Sequence, residues 1–579
     1  MKKLLLITIF SIAVFACKKD EPSQDFDAFK GRFIEQLWQI YPGWASGVGY
    51  HKYDSVLVVP NKESRDNELA FAEKKLVRIS KFDQSLLSDQ NKTDYYMIEN
   101  QLKSIIWSIN EEKSYEWNPS NYNVSGSFAE MLNNNYDSLD TRLHNFGLKL
   151  VNVPAYYEAA KQNIKNPTVE HTELAIKQNN GGVSVFEVDL KAALAKSHLS
   201  DSEKELISKR AAEAVAAIKG YADWLKNLKN ETPRSFRLGK DLYAKKFEFD
   251  IQSGYTADQV YEKAVARKKM LHEKMTELAN QLWPKYMKSA KKPADNLAMI
   301  KQVIDKISLT HVKAEEFQTA IEKQIPELAK FVKEKDLLYM DPSKPLVVRK
   351  EPDYMAGVAG ASISAPGPYD KNGNTYYNVG SLSGWSKEQS ESYLREYNYY
   401  LLQVLNIHEA IPGHYAQLIY SNQSPSIIKS ILGNGAMIEG WAVYTELMML
   451  ENGYGNNEPE LWLMYYKWNL RVTCNTILDI SVHTKDMSKE DALNLLVNEA
   501  FQQQAEAEGK WRRVSVTSVQ LCSYFSGFTE IYDFREELKA KEGDKFNLKN
   551  FHEKFLSYGS APVKYIKSMM LSEMEAPKK

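Results

Sequence analysis

The stretch from 401 to 415 decides how the chain folds around its most reactive side chains, and it reads Leu401-Leu-Gln-Val-Leu-Asn-Ile-His408-Glu409-Ala-Ile-Pro412-Gly413-His414-Tyr415. Its first half predicts a helix. In a straight helix, residues six apart lie about 240° apart around the axis, so the two histidines would face different sides. Pro412 prevents a straight helix because its ring clashes with the carbonyl of His408, and Gly413 has the freedom to loop out. We therefore predict a bulged helix that returns His414 to the face of His408.

These histidines, with Glu409 after the first, follow the ligand, base, ligand order of a zinc metallopeptidase at a longer spacing than His-Glu-x-x-His. A hydrolytic zinc site needs a third protein ligand and an open position. Glu439 and Glu446 lie downstream, and residues seven apart share one face of a helix. We expect one glutamate to bind the metal and the other to orient a ligand histidine. The alternative is that the histidines are ordinary and the glutamates are solvated.

The two motifs, His408-Glu-Ala-Ile-Pro-Gly-His414 and Glu439-Gly-Trp-Ala-Val-Tyr-Thr-Glu446, resemble signatures of a bacterial family called domain of unknown function 885. The stretch 543–562 resembles the C-terminal signature of the same family. That family is grouped with zinc peptidases of the gluzincin type. The resemblance implies a mainly α, large helical gluzincin-like metallopeptidase fold, in which a small β-sheet borders a deep cleft.

The resemblance also implies the roles of the site residues. One Zn2+ per chain would be held by His408, His414 and Glu439. Glu409 would act as the general base, which leaves Glu446 to orient a ligand histidine. The expected activity is zinc-dependent hydrolysis of peptide bonds in peptides or oligopeptides. The competing hypothesis is a non-enzymatic or degenerate surface lipoprotein that binds peptides or glycans.

Positions further along the chain depart from the family pattern. An arginine usually found a turn before Asp479 is Asn475 here, and 521–528 lacks the usual Arg-Tyr and Pro-Gly-Gln. These departures concern substrate anchoring, since the zinc residues are all present. His483 remains, and we expect Asp479 to orient its ring for donation to a developing oxyanion. Tyr532 has a similar claim to a catalytic role, and a structural role is the alternative for each.

Composition favours a globular helical chain. Of 579 residues, 43% are hydrophobic and 26% are charged, which excludes a disordered chain. The chain has only 27 glycines and 20 prolines, and so few breakers favour long helices. The formal net charge of −1 gives no electrostatic footprint for nucleic acid, and three cysteines cannot form a disulfide framework.

The pattern predicts a helical N-terminal half, residues 26–340, and a zinc-binding catalytic half, residues 341–579. In the second half, Asn372-Gly373 precedes the run Thr375–Val379, which is a hairpin signal. This run is either a connector or an edge strand beside a cleft. On an edge strand, Tyr377 and Asn378 would bind an extended peptide substrate through main-chain hydrogen bonds.

The N-terminus has the pattern of a bacterial lipoprotein signal. Two lysines precede an apolar run, residues 4–16, that is too short to span a bilayer. The run ends in Val14-Phe15-Ala16-Cys17, which resembles a lipobox, so residues 1–16 are the predicted signal peptide and Cys17 the predicted lipidation site. Residues 17–25 would form a lipidated tether to an envelope membrane, on its periplasmic or cell-surface face. The alternative is a plain secretory signal with an incidental cysteine.

Overall fold

The computed structural model of the protein describes residues 21–351, 361–370 and 374–575. Their fold is mainly α-helical with one small three-stranded β-sheet, which confirms that part of the predicted fold class. The helices before the sheet are α1 (Glu21–Ile40), α2 (Pro42–Gly47), α3 (Lys62–Ile79), α4 (Asp89–Trp107), α5 (Ser114–Trp117), α6 (Ser125–Asn133), α7 (Leu139–Lys149), α8 (Val153–Asn163), α9 (Val169–Ser184), α10 (Leu190–Lys196), α11 (Asp201–Asn227), α12 (Lys240–Ile251), α13 (Ala257–Met287), α14 (Asn296–Ile307) and α15 (Phe317–Glu334).

The sheet follows α15, and eleven further helices complete the described chain. The strands are β1 (Leu346–Lys350), β2 (Ala361–Ser364) and β3 (Thr375–Val379). The helices after the sheet are α16 (Lys387–Glu396), α17 (Tyr399–Glu409), α18 (His414–Asn422), α19 (Ile427–Ile431), α20 (Gly435–Glu451), α21 (Pro459–Thr484), α22 (Lys489–Asn494), α23 (Gln504–Val516), α24 (Ser523–Glu542), α25 (Leu548–Ser557) and α26 (Val563–Glu575). Among these described helices, none combines the length and apolar character needed to cross a bilayer.

The first helix begins earlier than the sequence indicated. We predicted a tether over residues 17–25, but α1 already starts at Glu21. Pro22 suits this position, because the first turn of a helix needs no backbone N–H from that residue. The predicted signal peptide and Cys17 lie outside the described residues.

The strand order corrects the prediction that Thr375–Val379 is an edge strand. The order is β1-β3-β2, so β3 is central, parallel to β1 and antiparallel to β2. Its main-chain groups are therefore used on both sides and cannot pair with a peptide. Asn372-Gly373 of the predicted hairpin lies outside the described residues.

Two hydrophobic cores hold the helices together, and they do not follow the predicted division at residue 340. The larger core joins Phe26 and Leu271 to side chains as distant in sequence as Met570. The smaller core draws only on residues 122–225, from the segment that carries α6 to α11. Helices from both predicted halves therefore stabilise the part of the chain that contains the histidine motif.

Two glycines allow α20 and α24 to cross in direct backbone contact. A Cβ atom added to Gly440 would overlap the backbone of Gly527, and one added to Gly527 would overlap the carbonyl oxygen of Ala436. A crossing this close leaves no space for any side chain. Because α20 carries Glu439 and Glu446, the crossing also determines where the predicted metal residues lie.

We expect Gly527→Ala to destabilise the protein by about 1–3 kcal/mol or more, because the new methyl group forces two backbones apart. Thermal unfolding of the purified variant measures the loss, and soluble yield reports a more severe defect.

The matched control is Gly220→Ala on α11, where an added Cβ meets nothing within 4 Å. This change should be neutral or stabilise by about 0.5–1 kcal/mol, because glycine is unfavourable inside a helix. Equal stability of the two variants would contradict the proposed backbone crossing.

Candidate metal centre

The Pro-Gly segment separates two helices instead of forming a bulge in one. Helix α17 ends at Glu409, and α18 begins at His414. Gly413 turns back so that its N–H donates to the carbonyl of Ile407 at 3.0 Å, and a Cβ there would overlap the carbonyl oxygen of His408. Trp441 on α20 holds the segment from the other side, because its Nε1 donates to the Pro412 carbonyl at 2.9 Å. The break returns the second histidine to the first, as expected, by a sharper route.

The structure brings the ligand atoms of the three predicted residues close together. Nε2 of His408 lies 3.7 Å from Oε2 of Glu439, and Nε2 of His414 lies 3.4 Å from the same oxygen. The three ligand atoms all lie within 4.8 Å of one another. The three residues come from three different helices, so their convergence is a property of the tertiary structure.

The spacing of these atoms fits a metal ion better than direct hydrogen bonds. Distances of 3.4 and 3.7 Å are long for an N–H···O bond, and Oε2 of Glu439 is buried without a hydrogen-bond partner. Two ligand atoms held about 2.0–2.2 Å from a tetrahedral ion lie roughly 3.3–3.6 Å apart. Two imidazoles and one carboxylate also form the donor set of many catalytic zinc sites. The residues therefore fit a zinc ion.

Glu446 orients His408, as predicted for the second glutamate of α20. Its Oε1 lies 2.7 Å from Nδ1 of His408 and accepts a hydrogen bond from Nε1 of Trp468 at 2.9 Å. This contact places the Nδ1 proton on the glutamate side and leaves Nε2 free to bind a metal. Burial lowers the pKa of His408, but Glu439 and Glu446 outweigh it and raise the pKa to about 10. The centre therefore attracts positive charge.

Glu409 lies next to the ligand set without belonging to it. It is half-buried at the end of α17 and lines the same cavity as His408. Burial raises the pKa of its carboxyl group above the usual value, while His414 and His408 oppose the increase. A carboxylate in this position, beside the ligands and open to the cavity, can accept a proton from a water molecule.

A cavity of about 1230 Å³ opens beside the metal centre. Its walls combine the ends of β1 and β2 with one side of α16, α21 and α23. Lys350 and Ala361 are the lining residues from the sheet, and Trp468 and Arg471 are two of those from α21. The sheet therefore borders the cavity through its strand ends and not through β3.

The prediction that Asp479 orients His483 is wrong. The Asp479 carboxylate accepts hydrogen bonds from the Tyr243 hydroxyl at 2.6 Å and from the backbone N–H of Val519 at 2.9 Å. Nε2 of His483 lies 3.0 Å from the backbone carbonyls at positions 514 and 517, and its Nδ1 has no partner among the described residues. His483 does not line the cavity. It joins α21 to the end of α23, which is the structural alternative.

The structure does not bring Tyr532 to the centre either. Its ring packs on Phe528 and below the guanidinium of Arg535, at 4.7 Å, and it does not line the cavity. Tyr524, and not Tyr532, is the tyrosine next to the centre. It lines the cavity and stacks on His408, with ring centroids 6.5 Å apart. Burial and the charge of Glu439 raise the pKa of its hydroxyl. The sequence analysis missed Tyr524, whose position follows from the glycine crossing one turn later.

Tyr377 and Asn378 support the sheet and do not reach the cavity. The Tyr377 hydroxyl is buried and donates to Oδ1 of Asn406 on α17 at 2.7 Å. Asn378 donates to the Ser364 hydroxyl and accepts from Nε of Arg349, both at 2.7 Å. Their predicted role in substrate binding is therefore wrong, because β3 is central and its side chains are used inside the protein.

Comparison with known families places the chain in one of them. The model of a family described as "Bacterial protein of unknown function (DUF885)" matches residues 42–570. The protein therefore belongs to the DUF885 family, as the resemblance of its motifs indicated. No curated relative matches the chain.

Two solved structures share this fold. One, described as "a putative lipoprotein of unknown function" from Shewanella oneidensis, is 55% identical, with a TM-score of 0.87 over 94% of this chain and 99% of that chain. The other, described as "the putative lipoprotein" from Colwellia psychrerythraea, is 16% identical, with a TM-score of 0.79 over 96% of this chain and 99% of that chain. The second likeness shows the fold alone.

We expect Glu446→Gln to weaken zinc binding by about 10–100-fold, because His408 loses the charged partner that orients its ring. Competition with a fluorescent chelator measures the affinity, and circular dichroism checks that the helices remain.

The control is Glu451→Gln at the end of the same helix, where the carboxylate pairs with Arg535 and does not touch His408. Its zinc affinity should match wild type. His414→Ala removes a ligand outright and should bind no zinc, so equal zinc content in wild type and His414→Ala would contradict the assignment of the centre.

Proposed function

We propose that the protein is a zinc-dependent metallopeptidase of the gluzincin type that hydrolyses peptide bonds in peptides or oligopeptides. The observation that supports this most directly is the convergence of Nε2 of His408, Nε2 of His414 and Oε2 of Glu439 next to a cavity that His408 and Glu409 line. Two histidines and a downstream glutamate form the gluzincin ligand set. The cavity beside the centre has room for a short peptide.

The chain's own residues divide the chemistry between them. A zinc ion held by His408, His414 and Glu439 would supply Lewis-acid polarisation of the scissile carbonyl and a lower pKa for an attacking water. The Glu409 carboxylate accepts the proton of that water and delivers it to the leaving amine nitrogen. Tyr524, which stacks on His408 and lines the cavity, would donate its hydroxyl hydrogen to the oxygen that becomes negative.

We expect Glu409→Gln to bind zinc normally and to lose roughly 10²–10⁴-fold in hydrolysis of a mixed peptide library. The substitution keeps the volume of the side chain but removes the proton acceptor. Mass spectrometry of the products measures the rate and shows whether cuts fall at an end or internally.

The chain offers a matched control for this change. Glu273 also follows a histidine directly, on α13, but it is exposed and has no part in the ligand set. Glu273→Gln should therefore keep full activity. A Glu409→Gln protein as active as wild type would refute the mechanism. Zinc-loaded wild type that cleaves no peptide would favour the degenerate or non-enzymatic lipoprotein.

We also propose that the protein is anchored to a bacterial envelope membrane by lipid on Cys17. The related structures are described as lipoproteins, and the lipobox-like end of the N-terminal segment supplies the cysteine. The membrane contact would be the lipid anchor only.

We expect Cys17→Ser to move the protein from the membrane fraction to the soluble fraction, because the attachment point of the acyl chains is lost. Fractionation with detergent-phase partitioning measures this, and Cys474→Ser, at a buried thiol in α21, is the control that should stay with the membrane. Unchanged partitioning of Cys17→Ser would contradict lipid anchoring.

A further inference from the structure

A buried lysine lines the same cavity as His408. Lys510 lies in the middle of α23, only 7% of it is exposed, and it contributes to the cavity wall. Within the described ranges, its Nζ atom has no hydrogen bond and no ion pair within 4.0 Å. A buried ammonium normally has a charged partner, because losing its hydration is costly. This one instead contributes to the wall of a cavity.

Two carboxylates that line the cavity, Glu396 and Glu506, have cationic partners. Glu396 pairs with Lys467 at 2.7 Å, and both residues are buried. Glu506, one turn before Lys510, lies 3.4 Å from Nη2 of Arg471, and Nη1 of the same arginine lies 3.9 Å from Glu396. Each of these carboxylates therefore has a closer cation than Lys510. The charge of Glu506 favours the Lys510 ammonium, but it does not outweigh burial and the nearby arginines, which lower the pKa of Lys510.

A second cationic side chain, that of Arg513, adds to the positive charge around Lys510. Arg513 follows Lys510 by three residues, so the two side chains lie on neighbouring positions of one helix face. Arg513 also lines the cavity, and its Nη2 donates to the neutral Oε1 of Gln520 at 2.5 Å. Burial, with the charges of Arg471 and Arg513, lowers the pKa of Lys510 to about 7. An anion in the cavity would relieve this repulsion and stabilise the ammonium.

Resting on the proposed function, we propose that Lys510, supported by Arg513, binds a carboxylate of the peptide substrate. A carboxylate is the anionic group that peptides carry, either at the C-terminus or on an aspartate or glutamate side chain. Charge-assisted hydrogen bonds from a lysine and an arginine are the usual way in which proteins hold such a group. Lys510 would thus determine which peptides enter productively, while the residues around the metal perform the reaction.

The test measures binding, so that it does not depend on turnover. The probes are N-acetylated tetra-alanine with a free C-terminal carboxylate, its C-terminal amide, and the amide of acetyl-Ala-Ala-Glu-Ala. Calorimetric titration uses full-length protein carrying Glu409→Gln, with and without Lys510→Met. The matched control is Lys539→Met, at an exposed lysine on α24 that lies outside the cavity.

We expect a carboxylate-bearing probe to bind about 10–100-fold more tightly than the tetra-alanine amide, and we expect Lys510→Met to remove that preference. A preference for the free acid assigns the site to the C-terminal carboxylate, and a preference for the glutamate amide assigns it to an acidic side chain. Without peptide, Lys510→Met should raise the Tm, because an uncompensated buried charge is lost. Lys539→Met should change neither quantity.

Equal affinity for all three probes, or no binding of any of them, would overturn the carboxylate site. A preference that survives Lys510→Met would overturn the assignment to Lys510, and a fall in Tm would show that the lysine supports the fold instead. The proposed function is tested by other measurements. If wild type bound no zinc or hydrolysed no peptide, the proposed function would fail, but the differences in affinity between the three probes could still be measured.

Discussion

Two carboxylates on one helix, one buried and one half-buried, are the constraint on which the centre depends. Glu439 and Glu446 lie on the same face of α20, and Glu446 is fully buried. Charged groups removed from water must be paired or bind a metal, because the cost of desolvation is otherwise too large. His408 meets this need for both glutamates, since its two ring nitrogens face one carboxylate each. The ring therefore has one orientation, and Nε2 points to the position where a metal would bind.

The packing of other helices against α20 makes it possible to keep these glutamates away from water. Helix α20 can carry its glutamates inside the protein only if other helices approach closely enough to exclude water. Gly440 and Gly527 allow α24 to do so, and the approach places Tyr524 against His408. On the other side, Trp441 holds the Pro412 carbonyl, so α20 also positions the segment that presents His414. One helix thus positions all three ligands.

The sequence could predict features that depend on residues close together in the chain, but not features that depend on distant tertiary partners. His408, Glu409 and His414 lie within seven residues, and the helix break between them has a steric cause that can be stated from Pro412 alone. Tertiary partners decided the rest. Asp479 and His483 share a helix face at the expected spacing, yet Asp479 bonds to Tyr243, which comes from 236 residues earlier in the chain. Strand pairing is equally non-local, so no pattern in 375–379 could show that β3 would be central.

The residues that line the cavity differ in whether their charges are paired, and the metal motif alone does not show this difference. Behind one part of the wall, Glu396 of α16 pairs with Lys467 of α21, so the charge of that carboxylate is compensated. Helix α23 differs, because Lys510 and Arg513 face the same volume with neutral or already engaged neighbours. A protein that holds an uncompensated cation in a buried wall loses stability in the empty state, and such a cost is typical of binding sites. Charge therefore distinguishes two groups of residues at one cavity: the glutamates around His408 attract a cation, and Lys510 with Arg513 attracts an anion. A peptide bound in the cavity would have its carbonyl attracted to the metal centre and its carboxylate attracted to Lys510, which is a physical basis for selecting both the bond and the orientation.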